Sequence, residues 1–373
     1  MTSILAILRE SWLSLRAEWL FKGVMGLNVL VIVAYASIGF DANGISLFYG
    51  LTHIESEFIY AGSPMSRTLY LGIYSAFIVN MWLAWAASIL ALISTSSIFP
   101  SFLSAGAVEL VVSRPTRRST IFFVKYAGGL LFVVLQVSVF TLGAFLAAGW
   151  RVDAWDPAIF LAIPIITLFY SYLFCVNVLV GVITRSTLIA LLATLLFWFS
   201  SFSVRTADDI MSQFSYRLDA TVERTEARVA ELDEETSEAE AAGDELDAED
   251  AAHWAVGPQA AMDRARKAQS QLAPWAAIIS GVRTVLPETA RTLGLLHRAL
   301  ERNTDTTLMD LMSGAAFDDE DEPPRKLSEE EEAQARHMEK EEEIPAWSII
   351  LKSLVFEAVI LIVALIIFRR RDF

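Results

Sequence analysis

Uncharged stretches set the pattern of the chain. Eighteen residues between Lys22 and Asp41 carry no charge, and neither do 41 between Arg67 and Glu109, 25 between Lys125 and Arg151, 28 between Asp156 and Arg185, or 19 between Arg185 and Arg205. A helix needs about 20 predominantly apolar residues to cross the hydrocarbon core of a bilayer. The runs therefore predict membrane helices over about 23–40, 69–97, 125–149, 157–183 and 187–204. A sixth is predicted over 346–368, closed by Arg369, Arg370 and Arg371. The 41-residue run exceeds one span at about 1.5 Å per residue. Pro100 is expected to break it, leaving a short second helix over 101–112.

The flanks differ in kind. Over 1–22, Leu5, Leu8, Trp12, Leu15 and Trp19 fall on one helical face with Arg9, Arg16 and Lys22 elsewhere. That is the pattern of a helix lying in the membrane interface, or simply of the charged start of the first span. Its charges and the lack of a small-residue cleavage site are unlike a signal peptide. With the N-terminus inside, the short inner segments 1–22, 104–125, 185 and 369–371 carry eleven Lys/Arg, against Arg67 and Arg151 in the short outer loops. The positive-inside rule then gives six spans with both termini cytoplasmic, and residues 205–345 outside.

That insert holds 34 of the 44 acidic residues and 15 of the 29 basic ones, which accounts for the net charge of −15. Ile210, Phe214, Leu218, Val222, Val229 and Leu232 recur at helical spacing, predicting a long amphipathic helix that turns back near Gly243. Gly257-Pro258 reads as a break. The apolar positions of 276–300, interrupted by Pro287, suit packing on the outer membrane face or on the spans. Residues 313–345, with DDEDE at 318–322 and Pro323-Pro324, read as a partly disordered acidic tether. The expected fold is thus an all-α, six-span polytopic membrane protein with an N-terminal interfacial helix and a large helical insert between spans five and six.

Composition narrows the function. A 54% hydrophobic content concentrated in long runs excludes a soluble globular protein. The lone Cys175 excludes an intrachain disulfide and a Cys-rich metal site. The acidic insert disfavours nucleic-acid binding, which needs clustered cations. Phosphate-binding glycine loops and the H-E-x-x-H pair are absent, and His53, His253, His297 and His337 are scattered, so no catalytic set or metal site is suggested.

The connection between spans two and three is the most informative stretch. It places Glu109, Leu110, Val111 and Val112 in a segment that the charge rule makes cytoplasmic, followed by Ser113-Arg114-Pro115 and the pair Arg117-Arg118. A plain positive-inside loop would account for the arginines. A short amphipathic helix docking in a partner's groove would also account for the apolar run.

The order Gly106-x-x-Glu109-Leu110, Ser113-Arg114-Pro115, Arg118, Lys125-Tyr126 and Gly128-Gly129 resembles the loop of type-2 ABC exporter permeases. The run 181–186, Gly-Val-Ile-Thr-Arg-Ser, and the ending 368–373, Phe-Arg-Arg-Arg-Asp-Phe, fit the same family. The resemblance covers about 1–204 and 346–373, not the insert. It implies a permease subunit of the bacterial inner membrane that dimerises with itself or a similar subunit. A separate ATPase would dock on the loop 101–124, through Glu109, Leu110, Val111, Arg114, Arg117 and Arg118. ATP and Mg would sit on that partner, and this chain would hold no cofactor and not itself be an enzyme. The rival readings are a membrane anchor or scaffold presenting the acidic helical insert, and an intramembrane enzyme.

Asn80, Gln136, Asn177 and Glu357 lie inside the apolar runs and are the candidates for lining a translocation path. Glu357 is the costliest, at roughly 2.5–3.5 kcal/mol on insertion scales. An interhelical hydrogen bond would equally account for each of them.

Overall fold

The computed structural model describes residues 19–56, 58–103, 117–242, 245–301 and 344–370. These fall into two compact units, a helical body (1–198, 287–322, 346–373) and a helical hairpin (199–286, 323–345). Most of the interfacial helix expected over 1–22 and of the connection 101–124, and the acidic stretch 313–343, lie outside the described residues.

The body contains α1 (Trp19–Ala36), then β1 (Gly39–Asp41), β2 (Gly44–Leu47) and β3 (Thr52–Glu55). Next come α2 (Pro64–Ile73), a π-helical segment (Tyr74–Ala87), α3 (Ser88–Thr95) and α4 (Ile98–Phe102). The long helix α5 (Arg118–Val152) is followed by a 3-10 turn (Pro157–Leu161) and α6 (Ala162–Thr184). Helix α7 (Thr187–Ala242) begins in the body and ends in the hairpin with α8 (Glu245–Val285). The body is completed by α9 (Thr289–Glu301) and α10 (Ala346–Arg370).

Among the described residues, five helices are long and apolar enough to cross a membrane: 64–102, 118–152, 157–184, the first part of 187–238, and 346–370. The first expected span is shorter than its uncharged run. Helix α1 ends at Ala36, about 27 Å from its start at 1.5 Å per residue. The residues up to Phe40, expected to be helical, instead lead into a three-stranded antiparallel meander, so the chain is mostly but not wholly helical. Gly44 makes that turn possible. Its φ is +144°, and a Cβ there would run into the Ile54 carbonyl oxygen.

Pro100 does not end the second span. The interruption falls at Ser96–Ser97, and Pro100 is the third residue of α4, in a first turn that needs no N–H from it. Likewise Pro258 lies inside α8, where the sequence suggested a break. A proline there removes one ladder bond, and on this exposed helix water can satisfy the freed carbonyl. The fifth span does not stop at Val204 either. Its helix continues to Ala242 because the apolar-to-charged change alters what the helix faces, not its propensity.

The core is aromatic. Fully buried Phe122, Phe132, Phe140, Phe169, Tyr170 and Phe174 join α5 to α6, which also receives α10 and α9. Helix α9 packs on α6, the π segment and α10. Of the two placements open to 276–300, its second half therefore lies against the spans. In the hairpin, Arg266 pairs with Glu226 and Arg283 with Asp208, while Gln269 Nε2 donates to Asp219 Oδ1 at 2.7 Å. Partner numbers that rise on one helix as they fall on the other define an antiparallel pair.

Candidate functional site

Glu357 is at the middle of α10 and 8% exposed. Both carboxylate oxygens are held. The Tyr126 hydroxyl of α5 donates to Oε1 at 2.7 Å, and the Ser171 hydroxyl of α6 donates to Oε2 at 2.7 Å. Three helices thus meet on one carboxylate. Ser171 Oγ also lies 2.8 Å from the Leu168 carbonyl, so its single proton is shared between two acceptors.

The support behind Tyr126 is a ring stack. Its ring lies parallel to Phe174 at 5.2 Å, and Phe174 stacks on Tyr170 at 5.6 Å. The Tyr170 hydroxyl is 2.5 Å from Thr95 Oγ1. Gly129, one turn along α5 from Tyr126, lets the Phe174 ring approach: a Cβ would fall 2.5 Å from Phe174 Cε1. The ring is fully buried and stacked on both Tyr126 and Tyr170. Gly129→Ala is therefore expected to destabilise the body by about 1–3 kcal/mol, the range for overpacking. Thermal unfolding in detergent reads this. Unchanged stability would show that the stack yields.

A second polar cluster lies toward the N-terminal end of α10. Glu288, at the start of α9, accepts from Lys352 Nζ at 2.6 Å and lies 3.5 Å from Arg291 Nη1. Its backbone N–H donates to Ser353 Oγ at 2.9 Å. His297 Nδ1 is 3.2 Å from Ser75 Oγ, which ties α9 to the π segment. The Tyr172 side chain is fully buried, with Thr292, Ser353 and Glu357 beside its hydroxyl.

The four path candidates from the sequence are not brought together. Asn80 is exposed on the π segment. Gln136 is buried, its Nε2 3.4 Å from the Ala87 carbonyl and its Oε1 unpaired. It lies ten residues along α5 from Tyr126, about 15 Å. Asn177 is buried on α6, six residues from Ser171, with Nδ2 unpaired. Of these four, Glu357 is the one that accepts from side chains of two other helices. Asn28, a polar residue inside the first uncharged run and not among those candidates, is fully buried and accepts from Trp82 Nε1 at 3.0 Å, joining α1 to the π segment.

Of the expected docking residues, Glu109, Leu110, Val111 and Arg114 lie outside the described residues. Arg117 is an exposed, extended residue that caps α5. Arg118 Nη1 donates to the Arg369 carbonyl at 3.2 Å, so the start of α5 and the end of α10 share one end of the body. Phe368 stacks on Phe102 and meets Phe122 in a tilted contact at the same end. Arg151 marks the sheet end: its Nε donates to the Ala36 carbonyl at 2.7 Å, and the guanidinium stacks on Tyr49.

Compared with protein-family models, curated proteins and solved structures, the chain matches none.

Proposed function

We propose that the chain is the membrane-spanning permease subunit of an ATP-driven exporter of the type-2 ABC kind. It works in the bacterial inner membrane as a dimer with itself or a similar subunit, and a separate chain binds ATP and Mg. The reading is carried by the order of the motif residues, from Glu109-Leu110 through Ser113-Arg114-Pro115 to the basic ending 369–371. The meeting of Arg118 with the Arg369 carbonyl supports it, because it puts the motif-bearing connection and the C-terminal arginines at one end. So does the tight Arg185-Ser186 connection between α6 and α7, with Arg185 in the left-handed region at φ 56°.

In this reading the hairpin is extracytoplasmic and both termini are cytoplasmic. In a Cys175→Ala background, a cysteine at exposed Ser237 should react with a membrane-impermeant thiol reagent on intact cells, and one at Ser119 should not. The opposite pattern overturns the orientation. The function itself is tested by gentle detergent extraction from native membranes. An ATPase carrying a phosphate-binding loop should co-purify in near-stoichiometric amount. Its absence favours the rival anchor reading, for which the exposed Trp254, Trp275 and Ile278 of the hairpin would be the displayed surface.

A further inference from the structure

We propose that the turn between β2 and β3, Phe48–Leu51, is seated in the bilayer, at the boundary of headgroups and acyl chains in the leaflet at the sheet end of the body, and that lipid covers its exposed apolar side chains. The inference needs the chain to span a membrane. It does not depend on the transport reading or on an ATPase.

The turn is apolar and open. Leu51 is 86% exposed and Phe48 63%, and Tyr49 and Ile54 beside them are exposed too. Single exposed apolar residues are ordinary, whereas a contiguous group marks a binding or membrane surface. The backbone holds them out against its own preference. Phe48 and Tyr49 are successive non-glycine residues in the left-handed region, at φ 51° and 60°. Bulky side chains avoid that conformation unless the surroundings impose it.

Helix α5 gives the height of the turn. Val139, Leu142, Leu146 and Trp150 are exposed and recur at threes and fours, which makes one apolar stripe. The nearest charges on either side of the stripe are Lys125 and Arg151, about 39 Å apart along the helix. A hydrocarbon core of about 30 Å fits between them with both cations among headgroups. Trp150 and Arg151 therefore mark the membrane interface at this end. The Arg151 guanidinium lies 5.1 Å from the Tyr49 ring and 4.9 Å from the Trp150 ring, which puts the turn at the same height.

Tyr49 reaches further in. Its N–H donates to the Ser37 carbonyl at 3.1 Å, and its hydroxyl donates to the Val33 carbonyl at 3.1 Å. Val33 is one helical turn nearer the bilayer centre, about 6 Å, and is exposed together with Leu27 and Leu30. The ring thus lies down the open face of α1. Tyr, Trp and Arg, with apolar bodies and polar tips, are the side chains that suit the membrane boundary.

The end of α1 supplies a second, independent observation. A helix that ends in water can leave its last carbonyls to the solvent. Next to hydrocarbon each must be taken up by protein. Here every one is. Val33 accepts from the Ser37 N–H and from Tyr49, and Ala34 accepts from the Ser37 hydroxyl at 2.6 Å. Tyr35 accepts from the Tyr70 hydroxyl at 3.3 Å, Ala36 from Arg151 Nε at 2.7 Å, and Ser37 from the Tyr49 N–H. At about 27 Å, α1 also falls short of a core of about 30 Å. The turn adds apolar surface where the helix stops. A protein partner could equally cover Phe48 and Leu51. It would not explain why the carbonyls are closed to water at the height that the α5 stripe assigns to lipid.

The test places a nitroxide spin label on single cysteines in a Cys175→Ala background, with the whole chain in phosphatidylcholine nanodiscs, which leave both faces open to water. Molecular oxygen concentrates in hydrocarbon and a neutral nickel chelate in water, so the ratio of their relaxation effects reads depth. Labels at Phe48→Cys and Leu51→Cys should give a ratio severalfold above that at Ser237→Cys, and on the same side as Leu142→Cys in the α5 stripe. Both turn residues are mostly exposed, so folding should not depend on them, and thermal unfolding checks this. Two results overturn the proposal. A ratio at Leu51 equal to that at Ser237, with Leu142 still reading as lipid, would put the turn in water while leaving the membrane reading standing. Labels shielded from both reagents would mean that protein covers the turn, a second copy if the spectra also broaden and sharpen again on dilution with unlabelled chain.

Discussion

Glu357→Leu should lower the stability of the folded body by about 2–5 kcal/mol while leaving membrane insertion intact or improved. Two terms set the size. Leucine removes two buried hydrogen bonds to the carboxyl group, each worth about 0.5–3 kcal/mol, although Ser171 Oγ keeps the Leu168 carbonyl and the Tyr126 hydroxyl the Ser171 carbonyl as acceptors. It also removes a reason for the helices to associate. A lone Glu on a helix in lipid is penalised, and the assembled body relieves that by enclosing it, whereas leucine is equally content in either place. The same change favours insertion, so yield and stability should move in opposite directions. Glu357→Gln separates charge from hydrogen bonding. Its carbonyl accepts from one hydroxyl, and its amide can donate to the other once that hydroxyl rotates, so the loss should be within about 1 kcal/mol. Denaturation in mixed detergent reads both. A leucine variant as stable as the wild type would mean that the three-helix contact contributes nothing to the fold.

The five apolar helices long enough to cross a membrane were legible because the exclusion of charge from hydrocarbon is written residue by residue, and a chain that faced water would not run 41 positions without a charge; the first of the six expected spans is a shorter apolar helix. Their ends were not legible. Helix propensity does not change at the membrane surface, so α5 starts at Arg118 and not at Lys125, and α7 runs on far past Val204. The small sheet left one trace, Asn43-Gly44, a strong hairpin signal whose strands of three and four residues are too short to show alternation. The π segment left none, since the wider turn is a backbone choice with no side-chain signature in this uncharged run.

The site divides in the same way. Glu357 announced itself by its cost. Its partners could not be found from spacing, because Tyr126 and Ser171 lie 231 and 186 residues away in the chain. Lys352 is five residues from Glu357, off the helical repeat that would pair them. Its partner is Glu288, one of 34 acids in the insert and distinguished only by the Pro287 corner that returns α9 to the spans. Sequence thus exposes the group that is expensive to bury, and tertiary packing alone shows what relieves the cost.

Leu110→Ala combined with Val111→Ala should weaken the proposed ATPase contact by roughly thirtyfold without lowering the yield of inserted protein. An apolar anchor seated in a partner's groove typically costs about 2 kcal/mol when truncated, and about 1.4 kcal/mol is a tenfold change in affinity. Both residues precede the exposed Arg117 at the N-cap position of α5 and lie outside every uncharged membrane run of the sequence. Pairwise binding of the purified ATPase, with thermal unfolding of the variant as the control, reads the two effects apart. Glu109→Lys should behave differently. A rim charge fixes register more than affinity, so ATPase binding should largely persist while ATP hydrolysis no longer drives transport. Arg117→Glu, on the same connection, should mainly slow association and make it less salt-dependent, because an exposed charge acts through steering. If the double alanine variant binds and transports as the wild type does, the segment before Arg117 is an ordinary positive-inside loop, and the permease reading loses the only part of the chain that links it to an energy source.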